Sequence, residues 1–254
     1  MNDHFSDLKG KHVIVTGGSK GIGKDIAIEF AKLGACVVIT GRDESALIKT
    51  TNELRRLSSP HYYVVADMRK ASKVIQMVDE AAGLMGGIDI LVNNAGVNLP
   101  KSALEVTEED WDSMIDTNLK GSFFCSQQTG RYMLKQKKGK IINIVSQMAF
   151  VGYFKRTPYC ASKGGAVQLT KSLAVEWAPH HINVNAVAPT FIETELTKQM
   201  LEDPSFREDV INRIPLGKLA RPSDVTGAVL YLASNMADLI TGETIKVDGG
   251  WTAI

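Results

Sequence analysis

The sequence predicts an α/β fold, a doubly wound parallel sheet of about seven strands with helices on both faces, in a single domain. Three observations carry that expectation. Short β-branched runs alternate with longer helical patterns along the chain, the order that builds a parallel sheet. Val13-Ile14-Val15, Val37-Val38-Ile39 and Ile141-Ile142-Asn143-Ile144-Val145 are near-continuous apolar runs, as strands buried on both faces require. A glycine-rich turn follows the first of these runs and leads into a helical pattern, the arrangement that binds a pyrophosphate.

Strands are expected at 12–16, 36–40, 62–66, 88–92, 140–145, 182–187 and 244–247, and helices near 21–33, 43–57, 70–85, 108–137, 158–178 and 222–234. The second helix opens on Asp43 in Asp-Glu-Ser-Ala-Leu, an N-cap pattern. Lys135, Lys137, Lys138 and Lys140 gather where the long helix ends, which suits the negative end of its dipole. Residues 189–219 form the longest stretch without strand character. Residues 194–201 there can make a short helix, followed by Asp203-Pro204, a second amphipathic piece and Ile214-Pro215-Leu216-Gly217. A connection of that length is expected to be a lid or binding loop. No linker or composition shift divides residues 1–254.

The 254 residues are 44% apolar and 22% charged, enough for a sizeable core. A net charge of +1 gives no reason to expect nucleic acid or an anionic membrane as partner. No run approaches the ~18 apolar residues of a membrane span. Residues 1–11 are polar and lack the apolar block of a signal peptide, so a cytoplasmic location is the expectation. Cys36, Cys125 and Cys160 are far apart and odd in number, and the five histidines show no ligand spacing, so neither a disulfide framework nor a metal is assigned.

Thr16-Gly17-Gly18-Ser19-Lys20-Gly21-Ile22-Gly23 joins the first strand to the first helix. Glycines there allow a tight turn and close approach of a pyrophosphate to the helix N-terminus. An acidic residue at the end of the second strand would bind the ribose of NAD. Asp43 has the right separation from Gly23 but sits at the cap position, leaving Gly41-Arg42 at the strand end. Arg42 and Lys20 without a carboxylate suit a 2′-phosphate, so NADP(H) is preferred and NAD(H) remains possible. The alternative is that both are solvated surface charges.

Tyr159 and Lys163 stand four apart in Tyr-Cys-Ala-Ser-Lys, and Ser146 lies thirteen residues ahead of the tyrosine. On a helix, positions i and i+4 share a face. A free tyrosine titrates near ~10, and a neighbouring ammonium is expected to pull it down towards working range. The plainer alternative is a lysine that only solvates a helix face.

With these motifs in order, the chain resembles the short-chain dehydrogenase/reductase family in its single-domain branch. The resemblance spans 16–250 and rests on TGxxxGxG at 16–23, Asp67, Asn93-Asn94-Ala95-Gly96, Asn118, Ser146, Tyr159xxxLys163 and Val247-Asp248-Gly249-Gly250. It implies a Rossmann-type sheet and an NAD(P)-dependent interconversion of a secondary alcohol and a ketone. Tyr159 is then the acid/base, Ser146 polarises the substrate oxygen, Lys163 grips the nicotinamide ribose and Asn118 holds a relay water. For the cofactor it implies Gly17, Ser19, Lys20, Gly21, Ile22, Gly23, Arg42, Asp67 with Met68, Asn94, Ala95, Gly96, Pro189, Ile192 and Thr194. Asp67 would accept from the adenine amino group, or would cap the turn before Arg69. Asn94 would brace the sheet and Gly96 would let the ribose approach. Pro189-Thr190 departs from the family's Pro-Gly, and a slightly altered turn is expected there.

Asn98, Gln147, Tyr153 and Arg156 are the candidate substrate residues. Their polar and cationic character suits a hydroxylated, anionic substrate, and the 189–219 segment resembles that of gluconate 5-dehydrogenase-like members. A keto-sugar acid or polyol is therefore the favoured small-molecule partner. The alternatives are a 3-oxoacyl-carrier-protein reductase, docking through the lysines at 135–140, a general carbonyl reductase, or a catalytically silent nucleotide sensor. The family resemblance also implies a homotetramer, with Phe123, Phe124 and Trp177 serving either its contacts or the core.

Overall fold

The structure, a computed structural model, describes residues 3–253 other than Ser59. Its centre is a seven-stranded sheet of β1 (His12–Thr16), β2 (Cys36–Gly41), β3 (His61–Val65), β4 (Ile90–Asn93), β5 (Gly139–Ile144), β6 (Ile182–Pro189) and β7 (Thr244–Val247). The order is β3-β2-β1-β4-β5-β6-β7 and every pairing is parallel. The chain winds from β1 outwards to β3, returns to place β4 beside β1, and then winds the other way. That reversal opens a crevice beyond the carboxyl ends of β1 and β4, where open α/β sheets bind ligands.

The helices are α1 (Gly21–Lys32), α2 (Glu44–Arg55), α3 (Ala71–Met85), α4 (Glu108–Ile115), α5 (Gly121–Gln136), α6 (Thr157–Trp177), α7 (Glu195–Leu201), α8 (Pro204–Asn212) and α9 (Pro222–Ala233). Strand side chains alternate in direction, so each strand feeds two cores. Val13, Val15, Val37 and Ile39 pack with Ile26 and Phe30 of α1, Leu47 of α2 and Val229 of α9. Ile14, Val38, Leu91 and Ile141 face Val78 of α3, Cys125 and Met133 of α5 and Trp177 of α6. Each fully buried Val, Ile, Leu or Phe contributes about 1.5–3 kcal/mol, so the sheet is the rigid part on which the site is mounted. Trp177 belongs to this core: it is 7% exposed, and a Cβ on Gly130 would come within 2.9 Å of its ring.

Buried polar groups tie the strand ends to the helices over them. Asn93 Nδ2 donates to Asn143 Oδ1 and to Ser126 Oγ, each at 2.9 Å, and Asn143 Nδ2 donates to Thr170 Oγ1 at 2.9 Å. These bonds hold β4 and β5 against α5 and α6.

The helix expected near 108–137 forms over 108–136 but carries a π-turn within it. Asp116–Lys120 form a π-turn between α4 and α5, and the Gly121 N–H reaches the carbonyl of Asp116. The apolar pattern alone does not register this, because the extra residue is accommodated by packing. A Cβ on Gly121 would lie 2.5 Å from the Met68 carbonyl oxygen, so only glycine lets the helix pass that close. The segment after β6 carries the two expected short helices, α7 and α8, and is pinned by a bridge between Ile192 and Ala220. Thr190 adopts no left-handed backbone angle, and its N–H donates to the Val247 carbonyl at 3.1 Å. The turn thus forms without the glycine of the family pattern. Among the described residues, no helix is long and apolar enough to cross a membrane, and no group of His, Cys, Asp or Glu could hold a metal ion.

Candidate active site

The crevice at the sheet reversal is a cleft of about 640 Å³. It brings together Gly17, Ser19, Lys20, Arg42, Asp67, Met68, Ala95 and Gly96, and adds Gly41, Asp43, Ala66, Val97 and Thr117. Val97 and Thr117 have no distinguishing signal in the sequence. Gly17 has φ +64, and a Cβ there would lie 3.0 Å from the Ala95 Cα, so glycine is needed for both conformation and room. A Cβ on Gly96 would approach Asn118 Oδ1 at 3.3 Å and Lys163 Nζ at 3.5 Å, which makes Gly96 the open wall between the cleft and those two side chains.

Gly23 and Asn94 stand behind that wall. Asn94 Nδ2 donates to the carbonyls of Thr16 at 3.0 Å and Gly17 at 3.1 Å, and the N–H groups of Asn94 and Ala95 both donate to Thr16 Oγ1 at 3.0 Å. Thr16, the first residue of the motif, is therefore the knot between β1 and β4. Ile22 and Ile192 pack against one core. Thr194 caps α7, and its Cγ2 lies 3.7 Å from where a Gly21 Cβ would sit, so the segment after Pro189 meets the glycine turn.

Asp43 is the cap that its sequence context predicts, its carboxylate accepting from the Ala46 N–H at 3.0 Å. It also meets Lys20 Nζ at 3.4 Å, with the two side chains 50% and 63% exposed. A pair that open to solvent holds its partners weakly. Asp67 accepts from the Arg69 N–H at 3.0 Å, and Arg69 Nη2 donates to Asp67 Oδ2 at 2.6 Å. The guanidinium holds the Asp67 carboxyl down at about 2, so it is an anion through the neutral range.

Four residues meet beyond Gly96. Asn118 lies on the π-turn; its Oδ1 accepts from the Val97 N–H at 2.8 Å, and its Nδ2 donates to the Val97 carbonyl at 2.9 Å and to Ser162 Oγ at 3.0 Å. Ser162 in turn donates to the Tyr159 carbonyl at 2.8 Å. Its place as the serine of Tyr-Cys-Ala-Ser-Lys was the available signal for that link. Lys163 Nζ donates to the Ile144 carbonyl at 2.8 Å and lies 5.7 Å from the Tyr159 ring centroid. Ser146 follows β5, accepts from the Met148 N–H at 3.2 Å and donates to Gln147 Oε1 at 2.8 Å.

The electrostatics correct one expectation. The Tyr159 phenol is pushed up, by burial first, while the Ser146 hydroxyl pulls the other way. Lys163 is pushed down to about 8 by burial. The ammonium is directed to a strand carbonyl rather than to the phenol oxygen, so desolvation outweighs its field.

The substrate candidates divide. Gln147 and Arg156 are buried at 1% and 3% exposure, and Asn98 is half-buried. Tyr153 is committed elsewhere: its hydroxyl donates to Asp209 of α8 at 2.9 Å, and its ring packs edge-on against Phe191 and Trp251. It clasps the segment after β6 rather than offering a free hydroxyl. The lysine patch at 135–140 is also reduced, because Lys140 is 7% exposed at its side chain and pairs with Asp238 at 2.7 Å.

A parallel sheet with a glycine-walled crevice at its reversal, and Ser, Tyr and Lys beside that crevice, defines an NAD(P)-dependent oxidoreductase. Residues 11–205 match the family described as short chain dehydrogenase, and the chain belongs to that family. It is 39% identical over 247 residues to the 2-dehydro-3-deoxy-D-gluconate 5-dehydrogenase of Escherichia coli K12, covering 97% of both chains. It is also 39% identical over 246 residues to the 3-oxoacyl-[acyl-carrier-protein] reductase of Thermotoga maritima, covering 96% of this chain and 98% of that one. Among solved structures, a gluconate 5-dehydrogenase from Burkholderia cenocepacia J2315, in complex with NADP and tartrate, superposes with a TM-score of 0.94 at 34% identity, covering 99% of this chain and 98% of the other.

Proposed function

We propose that the protein is an NADP(H)-preferring oxidoreductase that interconverts a secondary alcohol and a ketone on a keto-sugar acid or polyol. The observation that carries this reading is the meeting of Asn118, Ser146, Tyr159 and Lys163 behind Gly96, at the inner end of the nucleotide-sized cleft. A bound nicotinamide supplies the hydride. Tyr159 gives a proton to the substrate oxygen in reduction and takes it back in oxidation. Ser146 holds that oxygen. Lys163 steadies the ribose and carries the positive charge next to the phenol. Asn118 fixes the π-turn and, through Ser162, the first turn of the tyrosine's helix.

Lys20 and Arg42 take the 2′-phosphate, the weak Lys20–Asp43 pair being exchanged for a stronger charge partner. Gly17, Ser19 and Gly21 to Gly23 line the pyrophosphate, Asp67 and Met68 the adenine, and Asn94 to Gly96 the adenosine ribose. Pro189, Ile192 and Thr194 flank the nicotinamide, with residues 189–219 as lid over one domain. The relatives' printed activities on gluconate derivatives support the substrate class. Burial of Lys140 removes one cation from the patch that carrier-protein docking needs. A homotetramer, read by light scattering, belongs to the same proposal.

A cofactor-linked absorbance assay tests it, with NADPH and NADH in parallel against 5-dehydro-D-gluconate, L-sorbose and acetoacetyl thioesters. Turnover of the sugar acid with NADPH faster than with NADH is expected. Thioester turnover far above that of the sugar acid overturns the substrate, and faster use of NADH overturns the role of Lys20 and Arg42.

A further inference from the structure

Among the described residues, ten buried side-chain polar atoms lack a protein hydrogen-bond partner, and four of them lie on the sheet connections that carry Ser146 and the candidate substrate residues. Arg156 Nε, Gln147 Nε2, Asn98 Oδ1 and Thr190 Oγ1 are all buried with no hydrogen-bond partner. More than nine in ten buried polar groups in folded proteins are satisfied. Four exceptions on the loops after β4, β5 and β6, and at the start of α6, therefore call for a ligand. They come from three sheet connections on the edge where the strands' carboxyl ends lie.

Arg156 is the most demanding of the four. It is 3% exposed and opens α6 three residues before Tyr159. Its Nη1 donates to the carbonyls of Phe154 at 3.5 Å and Lys155 at 3.2 Å, and its Nη2 faces Met200 Sδ of α7 at 3.7 Å. No carboxylate pairs with it among the described residues. A guanidinium cannot shed its proton to escape burial, and a buried charge without a counter-ion is costly. Lys155, just before it, holds a left-handed φ of 57°, a conformation that a non-glycine residue keeps where its surroundings impose it. Burial also presses on the Arg156 charge, partly offset by Tyr153, Tyr159 and Cys160. The guanidinium thus sits between Tyr159 and α7, with donors in hand and no anion among the described residues.

We infer that Arg156 is the specificity-determining residue that binds the substrate's carboxylate, with Gln147 Nε2 donating to a neighbouring substrate oxygen and Asn98 Oδ1 accepting from a substrate hydroxyl. The chemical class is a polyhydroxylated monocarboxylate whose reacting carbon lies at Tyr159 while its acid end lies at Arg156. This assignment rests on the proposed alcohol–ketone chemistry. It goes further in naming which end of the substrate is recognised and by what.

The test compares D-gluconate with D-glucitol, which differ in a carboxylate against a hydroxymethyl group, as substrates with NADP⁺. For the wild type, kcat/KM favours the acid. In Arg156→Gln the ratio of acid to neutral polyol falls about a hundredfold, chiefly through KM, as expected when one side of a buried charge pair is removed. Arg156→Lys keeps the charge and recovers part of the ratio. As a readout apart from turnover, D-gluconate added to the NADP⁺ complex raises the Tm of the wild type but not of Arg156→Gln, and D-glucitol raises neither. Equal losses on both substrates, an unchanged ratio, or gluconate stabilising the variant as much as the wild type overturns the assignment. Absence of turnover with every alcohol and carbonyl and both cofactors would instead bring down the oxidoreductase reading, and the Tm comparison would still decide Arg156.

Discussion

Lys163 Nζ donates to the carbonyl of Ile144, the last residue of β5, at 2.8 Å. The central strand thus holds the ammonium in place, 5.7 Å from the centroid of the Tyr159 ring. Burial pushes the Lys163 amine down to about 8 from an ordinary value of 10.5, so its charge is kept at a cost to the fold. Below pH 8 the ammonium is charged in folded and unfolded chains alike, and that cost is fully felt. Between about 8 and 10.5 the folded chain gives up the proton first, and stability rises with pH on this account. Lys163→Met is expected to abolish turnover yet stabilise the protein by about 2 kcal/mol at pH 7, after allowing for the lost carbonyl bond. The gain shrinks above pH 8, and thermal melts across pH read it.

Tyr159→Phe removes the proposed proton donor with little change of shape. A fall in kcat of about 10³-fold is expected, with the Tm within about 2 °C of the wild type. A rate within tenfold of the wild type in a single-turnover assay would contradict the assignment of acid and base.

Asn118 satisfies both backbone groups of Val97 and reaches Ser162. Asn118→Ala leaves an N–H, a carbonyl and a hydroxyl without that partner, and is expected to cost about 2–3 kcal/mol. The drop in kcat should exceed any rise in KM, because the loss displaces the tyrosine's helix rather than the substrate. Chemical denaturation and steady-state kinetics on the same variant measure both.

Gly121→Ala would place a Cβ 2.5 Å from the Met68 carbonyl oxygen, which is backbone and cannot swing away. A destabilisation of about 1–3 kcal/mol is expected. Weaker NADPH binding should accompany it, since Met68 lines the cleft, and fluorescence titration of the nucleotide reads that directly.

The Tyr153–Asp209 clasp has a defined pH window. Arg213 holds the Asp209 carboxyl below its ordinary value of 3.8, so its contribution is present above that value and is lost only as pH falls through the lower, folded one. Tyr153 is pushed up to about 12 by burial and by Asp209, and stays a donor throughout. Tyr153→Phe is therefore expected to raise KM several-fold by the same factor at pH 5 and pH 8. Limited proteolysis of 190–219 should quicken in this variant.

The sequence by itself determined the sheet, its winding and the class of chemistry. Buried parallel strands need unbroken apolar runs, nucleotide turns need glycine, and acid–base pairs need fixed spacing, so each leaves a local trace. The strand from Val13 to Val15, Gly17 to Gly23 and the Tyr159–Lys163 pair were legible for that reason. What depends on partners distant in sequence was decided only by the tertiary structure. The π-turn at Asn118 ends where Gly121 passes close to Met68, and Trp177 is received at Gly130. Tyr153 is drawn to Asp209, fifty-six residues away, and Lys140 to Asp238. The direction of the Tyr159 shift also came from tertiary structure, because burial is a sum over the whole fold, whereas the i, i+4 spacing reports only one neighbour. Arg156 shows both sides of the division. Its sequence marks a cation near the tyrosine, but only the folded chain leaves that cation buried without an anion among the described residues.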